Sequence, residues 1–246
     1  MEPEEYESIY RLEESHWWYR GMREMALALL DRYLPQRDKL TVLDAGCGTG
    51  GMMGALGKYG WVYGLDFSLL ALGFCRKRSI RSAVRASVTH IPYPSERFDL
   101  ATSFEVLYHA GVGNDVQALK EIHRVLRPGG YFLLRLPAFE FLRGAHDQMV
   151  HTRHRYTAGE VGEKLAATGF EVVRLSYANS LLFPVAAASR LAERISRRAG
   201  TAQSDVQEAS PLVNRALLGV LRAESVVLRT IDLPVGLSVL ALARKR

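Results

Sequence analysis

The sequence predicts an α/β fold. A mostly parallel, seven-stranded sheet is flanked by helices, with a helical lid at the N-terminus and a helical insertion before the last strand. From residue 40 onward, short apolar runs alternate with helical segments, the pattern of strands and crossover helices in a parallel sheet. Val42-Leu43-Asp44-Ala45-Gly46-Cys47-Gly48-Thr49-Gly50-Gly51 ends a buried strand in an acid and turns through glycines into a helix. Between the last two strand candidates, a long stretch holds two amphipathic helices instead of a strand.

Taken in order, residues 1–36 read as helical. Tyr6, Ile9, Tyr10 and Glu13 lie at helical spacing and lead into the aromatic knot His16-Trp17-Trp18-Tyr19. Gly21 precedes a second helical run, Met22 to Leu34, which Pro35 stops. Strands are expected at 40–45, 61–66, 82–86, 98–104, 130–136, 170–177 and 236–243. Helices are expected near 50–58, 68–78 and 114–126, and over 157–168, where Thr157 and Glu160 form a capping box. Of the two late helices, one runs from Pro184 to Arg198 and one begins at Ser210-Pro211. Ala199 to Ala209, between them, reads as polar and loose. The late helices are read as packing on the sheet or on a second subunit, so the chain is a monomer or a homodimer. A peripheral membrane contact is the alternative.

The 246 residues are 48% hydrophobic and 24% charged, enough apolar material for one sizeable core. That excludes a disordered tail, a collagen-like fibre and a disulfide-stapled scaffold. Lys+Arg 32 against Asp+Glu 26 leaves +6, a balance that would suit nucleic acid or an anionic surface. No basic run concentrates it; Arg76-Lys77-Arg78 and Arg197-Arg198 are the densest patches, so a solvated basic surface is the reading. Cys47 and Cys75 are too few for a disulfide framework. The acidic start, Met-Glu-Pro-Glu-Glu, lacks a signal-peptide layout, and no apolar stretch approaches the roughly 20 residues of a membrane span. A cytoplasmic protein is expected.

The glycine loop carries the strongest chemical signal. Gly46, Gly48 and Gly51 satisfy G-x-G-x-x-G, and Asp66 ends the next strand where an acid accepts hydrogen bonds from ribose hydroxyls. An adenosine-containing cofactor follows. Asp44, directly before the glycines, would repel the pyrophosphate of a nicotinamide or flavin dinucleotide. The same carboxylate would attract the cationic amino-acid end of S-adenosylmethionine.

Val42–Gly50 resembles the first motif of the class I S-adenosylmethionine-dependent methyltransferases. Further segments match in order: Gly64-Leu65-Asp66-Phe67-Ser68, Ile91-Pro92-Tyr93-Pro94 with Phe98-Asp99-Leu100, Glu105-Val106-Leu107-Tyr108-His109, and Leu126-Arg127-Pro128-Gly129-Gly130. The flanks resemble a bacterial branch of small-molecule methyltransferases, of the Methyltransf_11 type. They share an H-W-W near glycine and arginine (His16 to Arg23), an H-D…H-x-R-R-Y-T stretch (His146 to Thr157) and a tail L-P-x-G-x-S (Leu233 to Ser238). One departure stands out. Ala86-Ser87-Val88 occupies the place of the usual adenine-binding aspartate.

The resemblance implies a single Rossmann-like domain. Residues 1–36 form a cap, 37–177 the cofactor-binding core, 178–233 a helical insertion and 234–246 the last strand. It implies S-adenosylmethionine as cofactor, leaving as S-adenosylhomocysteine, and methyl transfer to an oxygen, nitrogen or carbon of a small secondary, glycan or lipid metabolite. Asp44, Gly46, Cys47, Gly48, Gly50, Asp66, Phe67, Ser87, Val88, Phe104 and Glu105 would bind the cofactor, Arg20 or Arg23 lying near its carboxylate. Trp18, Tyr108, His109, His146, His151 and Tyr156 would meet the substrate. His109, placed after the fourth strand and titrating near neutrality, is the candidate general base. His146, Asp147, His151 and His154 read as a hydrogen-bonded lid, not a zinc set. With Ser103-Phe104-Glu105 ending that strand, no metal is expected. No N/D-P-P-Y/F motif follows it and neither cysteine is placed as a cytosine nucleophile, so nucleic acid is not the expected acceptor. The alternatives are a regulatory cofactor-binding protein without turnover and a nicotinamide-dependent oxidoreductase.

Overall fold

The computed structural model describes residues 2–34, 39–195 and 209–246. Pro35, Arg197-Arg198 and residues 199–208, on which three of the expectations fall, lie outside them.

Two helices, α1 (Pro3–Leu12) and α2 (Trp17–Tyr33), precede the sheet. Strands β1 (Leu40–Ala45), β2 (Gly60–Asp66), β3 (Ala83–Arg85), β4 (Phe98–Phe104), β5 (Leu126–Pro137), β6 (Phe170–Ala178) and β7 (Ser238–Lys245) form one sheet in the order β3-β2-β1-β4-β5-β7-β6. All neighbouring pairs are parallel except those of β7, which runs antiparallel between β5 and β6. The chain between strands supplies α3 (Gly51–Leu56), α4 (Leu69–Lys77), α5 (Asp115–Val125), α6 (Ala145–Met149), α7 (Ala158–Ala167), α8 (Phe183–Ile195) and α9 (Pro211–Leu228).

Side-chain alternation along the strands divides the core in two. Leu43, Phe132 and Leu134 pack with Leu119 and Ile122 of α5 and Leu165 of α7. Val42, Leu100, Leu133 and Leu242 pack with Met25 and Leu29 of α2 and Leu221 and Leu228 of α9. Ser68 Oγ accepts from Ala71 N–H and Asn114 from Gln117 N–H, and Thr157 Oγ1 accepts from Glu160 N–H as expected, but the Glu160 carboxylate pairs with His154 and Lys164, so the expected capping box is half formed.

The structure departs from the sequence reading at several points, β7 among them, which runs two residues later than expected, Ser238–Lys245. The glycine-loop helix is shorter than expected, and β5 starts four residues early, pairing Leu126 with Phe98 before its register shifts. Gly21 sits inside α2, not ahead of it. A Cβ there would lie 2.4 Å from Leu221 Cδ1 and 2.8 Å from Leu221 Cβ, so close approach of α9, not helix breaking, accounts for the glycine. The insertion is also tied to the N-terminal helices. Trp17 N–H donates to Asn214 Oδ1 (2.7 Å), Asn214 Nδ2 donates to Ser15 O, and Arg222 pairs with Glu24. Helix α8 rests on the 3-10 turn Glu140–Leu142, with Phe183 edge-on to Phe139 and Phe141. Among the described residues no helix is long and apolar enough to cross a membrane.

Gly21→Ala should destabilise the protein. Overpacking costs about 1–3 kcal/mol, against about 1 kcal/mol that alanine gains in a helix interior. Thermal unfolding should show a lower Tm for Gly21→Ala, and a smaller loss when Leu221→Ala is present as well than the two single losses would sum to.

Candidate active site

The parallel strands end at one edge of the sheet, where a cavity of about 1010 Å³ opens. Its floor is the glycine loop and the ends of β2 and β4; its roof is α1 and α2.

At the loop, Asp44 is 2% exposed and accepts a 2.8 Å hydrogen bond from Thr102 Oγ1. Burial pushes its carboxyl up to about 7. Gly46 has φ +89, and a Cβ on it would lie 2.2 Å from Val106 Cγ2. Gly48, at φ +53, has nothing within 4 Å of where its Cβ would be, so backbone alone borders the open space. Gly48 N–H and Ser68 N–H both donate to Asp66 at 2.9 Å, while burial raises the Asp66 pKa. Asp44, Gly46, Cys47, Gly48, Asp66, Phe67, Ser87, Val88, Phe104 and Glu105 all line the cavity. Gly50 does not; it turns the chain into α3 at φ +90, against Ile80 and Cys75. Ser87 Oγ accepts from Thr89 N–H and lies 2.7 Å from Thr89 Oγ1, which draws it into a turn. These residues fit S-adenosylmethionine: a backbone cradle, a buried acid beside it and a second acid on the next strand.

The roof is fastened by a residue outside the expected site. Glu13 accepts from Thr49 Oγ1 (2.5 Å) and Arg78 Nη2 (2.7 Å), and its carboxylate lies over Gly51, where a Cβ would approach Oε2 to 2.1 Å. Burial raises its pKa. Arg135, near the end of β5, donates to Glu105 Oε1 at 3.0 Å, and its guanidinium lies 5.3 Å from the Trp18 ring and 5.2 Å from that of Phe104. Glu105 holds φ +57 there. Arg20 and Arg23 do not line the cavity. They pair with Glu24 and Glu14, while Arg85, Arg135, Arg155 and Arg190 are the arginines on the wall. Tyr19, also on the wall, has its phenol pKa raised by burial and by Glu5.

Among the expected substrate contacts, Trp18, Tyr108, His109 and His146 line the cavity; His151 and Tyr156 do not. Tyr156 is 1% exposed in the core, its hydroxyl donating to Asp115 at 2.7 Å. His151 stacks behind His109 (ring centroids 5.7 Å apart) and binds Glu2. Asp147 is spanned by Arg155 (2.9 Å) and accepts from Gly144 N–H, while His154 binds Glu160. The stretch is thus held by local pairs and by Glu2 ahead of α1, and among the described residues no group of three His, Cys, Asp or Glu is arranged to hold a metal. His109 Nδ1 accepts from Gly111 N–H at 2.9 Å, and burial with His151 beside it lowers its pKa to about 4. That sets it well below the near-neutral titration expected of a general base.

Residues 43–134 match the family described as "Methyltransferase domain". The chain is 32% identical over 170 residues to a protein of Mycolicibacterium smegmatis named a probable S-adenosylmethionine-dependent methyltransferase, covering 67% of this chain and 63% of that one. It is 30% identical over 184 residues to the malonyl-[acyl-carrier protein] O-methyltransferase of Pseudescherichia vulneris, covering 70% and 72%. A solved S-adenosylmethionine-dependent methyltransferase from Mesorhizobium loti shares the fold with TM-score 0.60 at 19% identity, over 95% of this chain and all of that one. The chain belongs to the class I S-adenosylmethionine-dependent methyltransferases. The matched region spans less than two thirds of the Mycolicibacterium relative.

Asp44 generates a stability prediction. Its folded pKa, about 7, lies above the ordinary 3.8, so the folded state keeps a proton that the unfolded state releases. The contribution is full below about pH 4 and lost as pH rises toward 7. Ligand-free Asp44→Asn, which cannot ionise, should therefore gain on wild type as pH rises from 5 to 8 in denaturant titrations. An equal difference at both pH values would contradict this.

Proposed function

We propose that this methyltransferase acts on one small-molecule acceptor, at an oxygen, nitrogen or carbon atom, inside the cavity roofed by α1 and α2. The cavity itself carries the reading. Ligand pockets run to about 300–1,000 Å³, and about 1010 Å³ gives room for a cofactor and an acceptor side by side. A roof clamped by Glu13 suits a single enclosed molecule better than a polymer. Relatives named for malonyl-[acyl-carrier protein] and for 2-phytyl-1,4-naphtoquinone support small acceptors. The free thiols Cys47 and Cys75 suit the reducing cytoplasm.

S-adenosylmethionine, when bound, supplies an electrophilic methyl on a sulfonium. The chain's part is to bind, align and exclude water. Asp44 would neutralise the ammonium of the amino-acid end, and Asp66 would accept from the ribose hydroxyls. Gly46 and Gly48 let backbone approach closely, and Phe67, Ser87 and Val88 would border the adenine. Trp18, Tyr108 and His109 wall the space where the acceptor would stand.

S-adenosylhomocysteine at 100 times its Kd should stabilise the protein by about 2.7 kcal/mol, about 5–10 °C in Tm at this size. NAD and NADP should give no shift. Asp44→Asn should weaken S-adenosylhomocysteine binding about tenfold or more, the loss of a charge-assisted hydrogen bond. Shifts with the dinucleotides and none with the sulfur compound would refute the cofactor assignment.

A further inference from the structure

We propose that the acceptor is an elongated molecule whose far end carries an uncharged hydrogen-bonding group, a hydroxyl or a carboxamide, and that Asn179 binds that group and sets specificity for it. The inference deepens the methyl-transfer reading above and rests on it.

Among the described residues, three buried side-chain polar atoms have no hydrogen-bond partner: Arg78 Nε, Glu224 Oε1 and Asn179 Oδ1. Arg78 and Glu224 are anchored through their other atoms, and neither lines the cavity. Asn179 does line it, and is 2% exposed. A buried amide oxygen without a partner is destabilising, and folded proteins keep few of them.

The backbone holds this side chain in place. Asn179 follows the last residue of β6, at φ +59. Ala178 before it is paired to Ser238 of β7. After it, the N–H groups of Ser180 and Leu181 both donate to Glu224 Oε2, at 2.8 and 2.9 Å, and Ser180 Oγ donates to Val235 O. Asparagine tolerates a left-handed backbone, but glycine does so more readily. The turn by itself therefore does not call for an amide.

The place of Asn179 on the sheet gives the length. The residues fitted to the cofactor lie on the glycine loop, β2, the turn after β3 and the end of β4. The cavity continues beyond them across Pro137 of β5, Leu237 and Ser238 at the start of β7, and Asn179, with Ala186 and Ser189 of α8 bordering it. β6 stands three strand spacings from β4, about 14 Å at about 4.8 Å each. An acceptor that starts where the cofactor residues end, at β4, must span that distance to touch the amide. Pro137, Leu237 and Ala186 suit an apolar middle. The amide carries no charge, so a carboxylate or ammonium buried against it would lack a counter-charge. Arg190, also on this wall, is already engaged. A hydroxyl or carboxamide can both donate and accept, and rotation about the soft χ2 of asparagine presents either Oδ1 or Nδ2 to it.

The test titrates S-adenosylhomocysteine-loaded protein by calorimetry with straight-chain alcohols, and with the α,ω-diols, ω-hydroxyamides and ω-hydroxy acids of the same lengths. In wild type, a diol or hydroxyamide spanning about 14 Å should bind about tenfold tighter than the alcohol of equal length, the worth of one hydrogen bond. The hydroxy acid should bind no tighter than the alcohol. Asn179→Gly, which keeps the left-handed turn and removes the amide, should bind S-adenosylhomocysteine as wild type does and lose the preference. In ¹H–¹⁵N spectra of wild type, the Asn179 side-chain signal should move with the diol and stay with the alcohol. A preference retained in Asn179→Gly, a signal unmoved by the diol, tighter binding of the hydroxy acid, or no binding by any long chain overturns the proposal. Absence of S-adenosylhomocysteine binding in wild type would instead remove the methyl-transfer reading. The diol preference and its loss in Asn179→Gly are then still read on the ligand-free protein.

Discussion

The roof of the cavity is fastened to the glycine loop by the carboxylate of Glu13. It leaves the end of α1, crosses to the glycine loop, and is held there by Thr49 and Arg78. Without this clamp the ends of the parallel strands would form an open shelf, the default for an open α/β sheet. With it, the two N-terminal helices become a wall. The contact is costly to break, because removing one member leaves buried polar partners unmatched. It also divides the work of the glycines. Gly46 and Gly48 face Val106 and the cavity, whereas Gly51 is small because the chain's own Glu13 occupies the space a side chain would take.

Burial moves the titratable groups of the two ends in opposite directions. Asp44 is drawn toward its neutral acid beside the glycine loop, and His109 toward its neutral base beyond β4. Removal from water is the largest cause of both shifts, with Asp66 and Glu13 adding to that of Asp44 and His151 to that of His109. The ligand-free pocket therefore carries less charge than its residue list implies. A cation arriving near Asp44 would draw the proton off and gain an ion pair, so the instability of that carboxylate is tied to ligand binding. Stability sacrificed at a binding site in this way is common in functional proteins.

The fold was legible because it rests on local patterns. β1 begins and ends at the residues its apolar run predicted, and the cap at Thr157 followed from a side chain three residues from its target. The cofactor side was legible for the same reason: glycines, acid and strand end lie within one short segment. What could not be read depends on residues far apart in sequence. Gly21 looked like a helix boundary because its cause, Leu221, lies 200 positions away. Tyr156 sat in a motif beside histidines, but its partner Asp115 lies in the core. Arg135 did leave a signal, a lone charge in the apolar run Phe132-Leu133-Leu134-Arg135-Leu136, whose pairing with Glu105 only the sheet register brings about.

His109 shows why residue type and position do not fix a chemical role. Its place after the fourth strand and its ordinary titration range argued for a base, and both observations were sound as far as they went. The tautomer is set by which nitrogen the backbone has claimed, and that depends on a glycine two residues on whose N–H turns back onto the ring. A side chain at residue 111 would meet His109 Nδ1 at 3.1 Å, so the compact turn that commits the ring also favours glycine there. Sequence can supply the histidine and the glycine. Only the folded turn makes one dictate the protonation of the other.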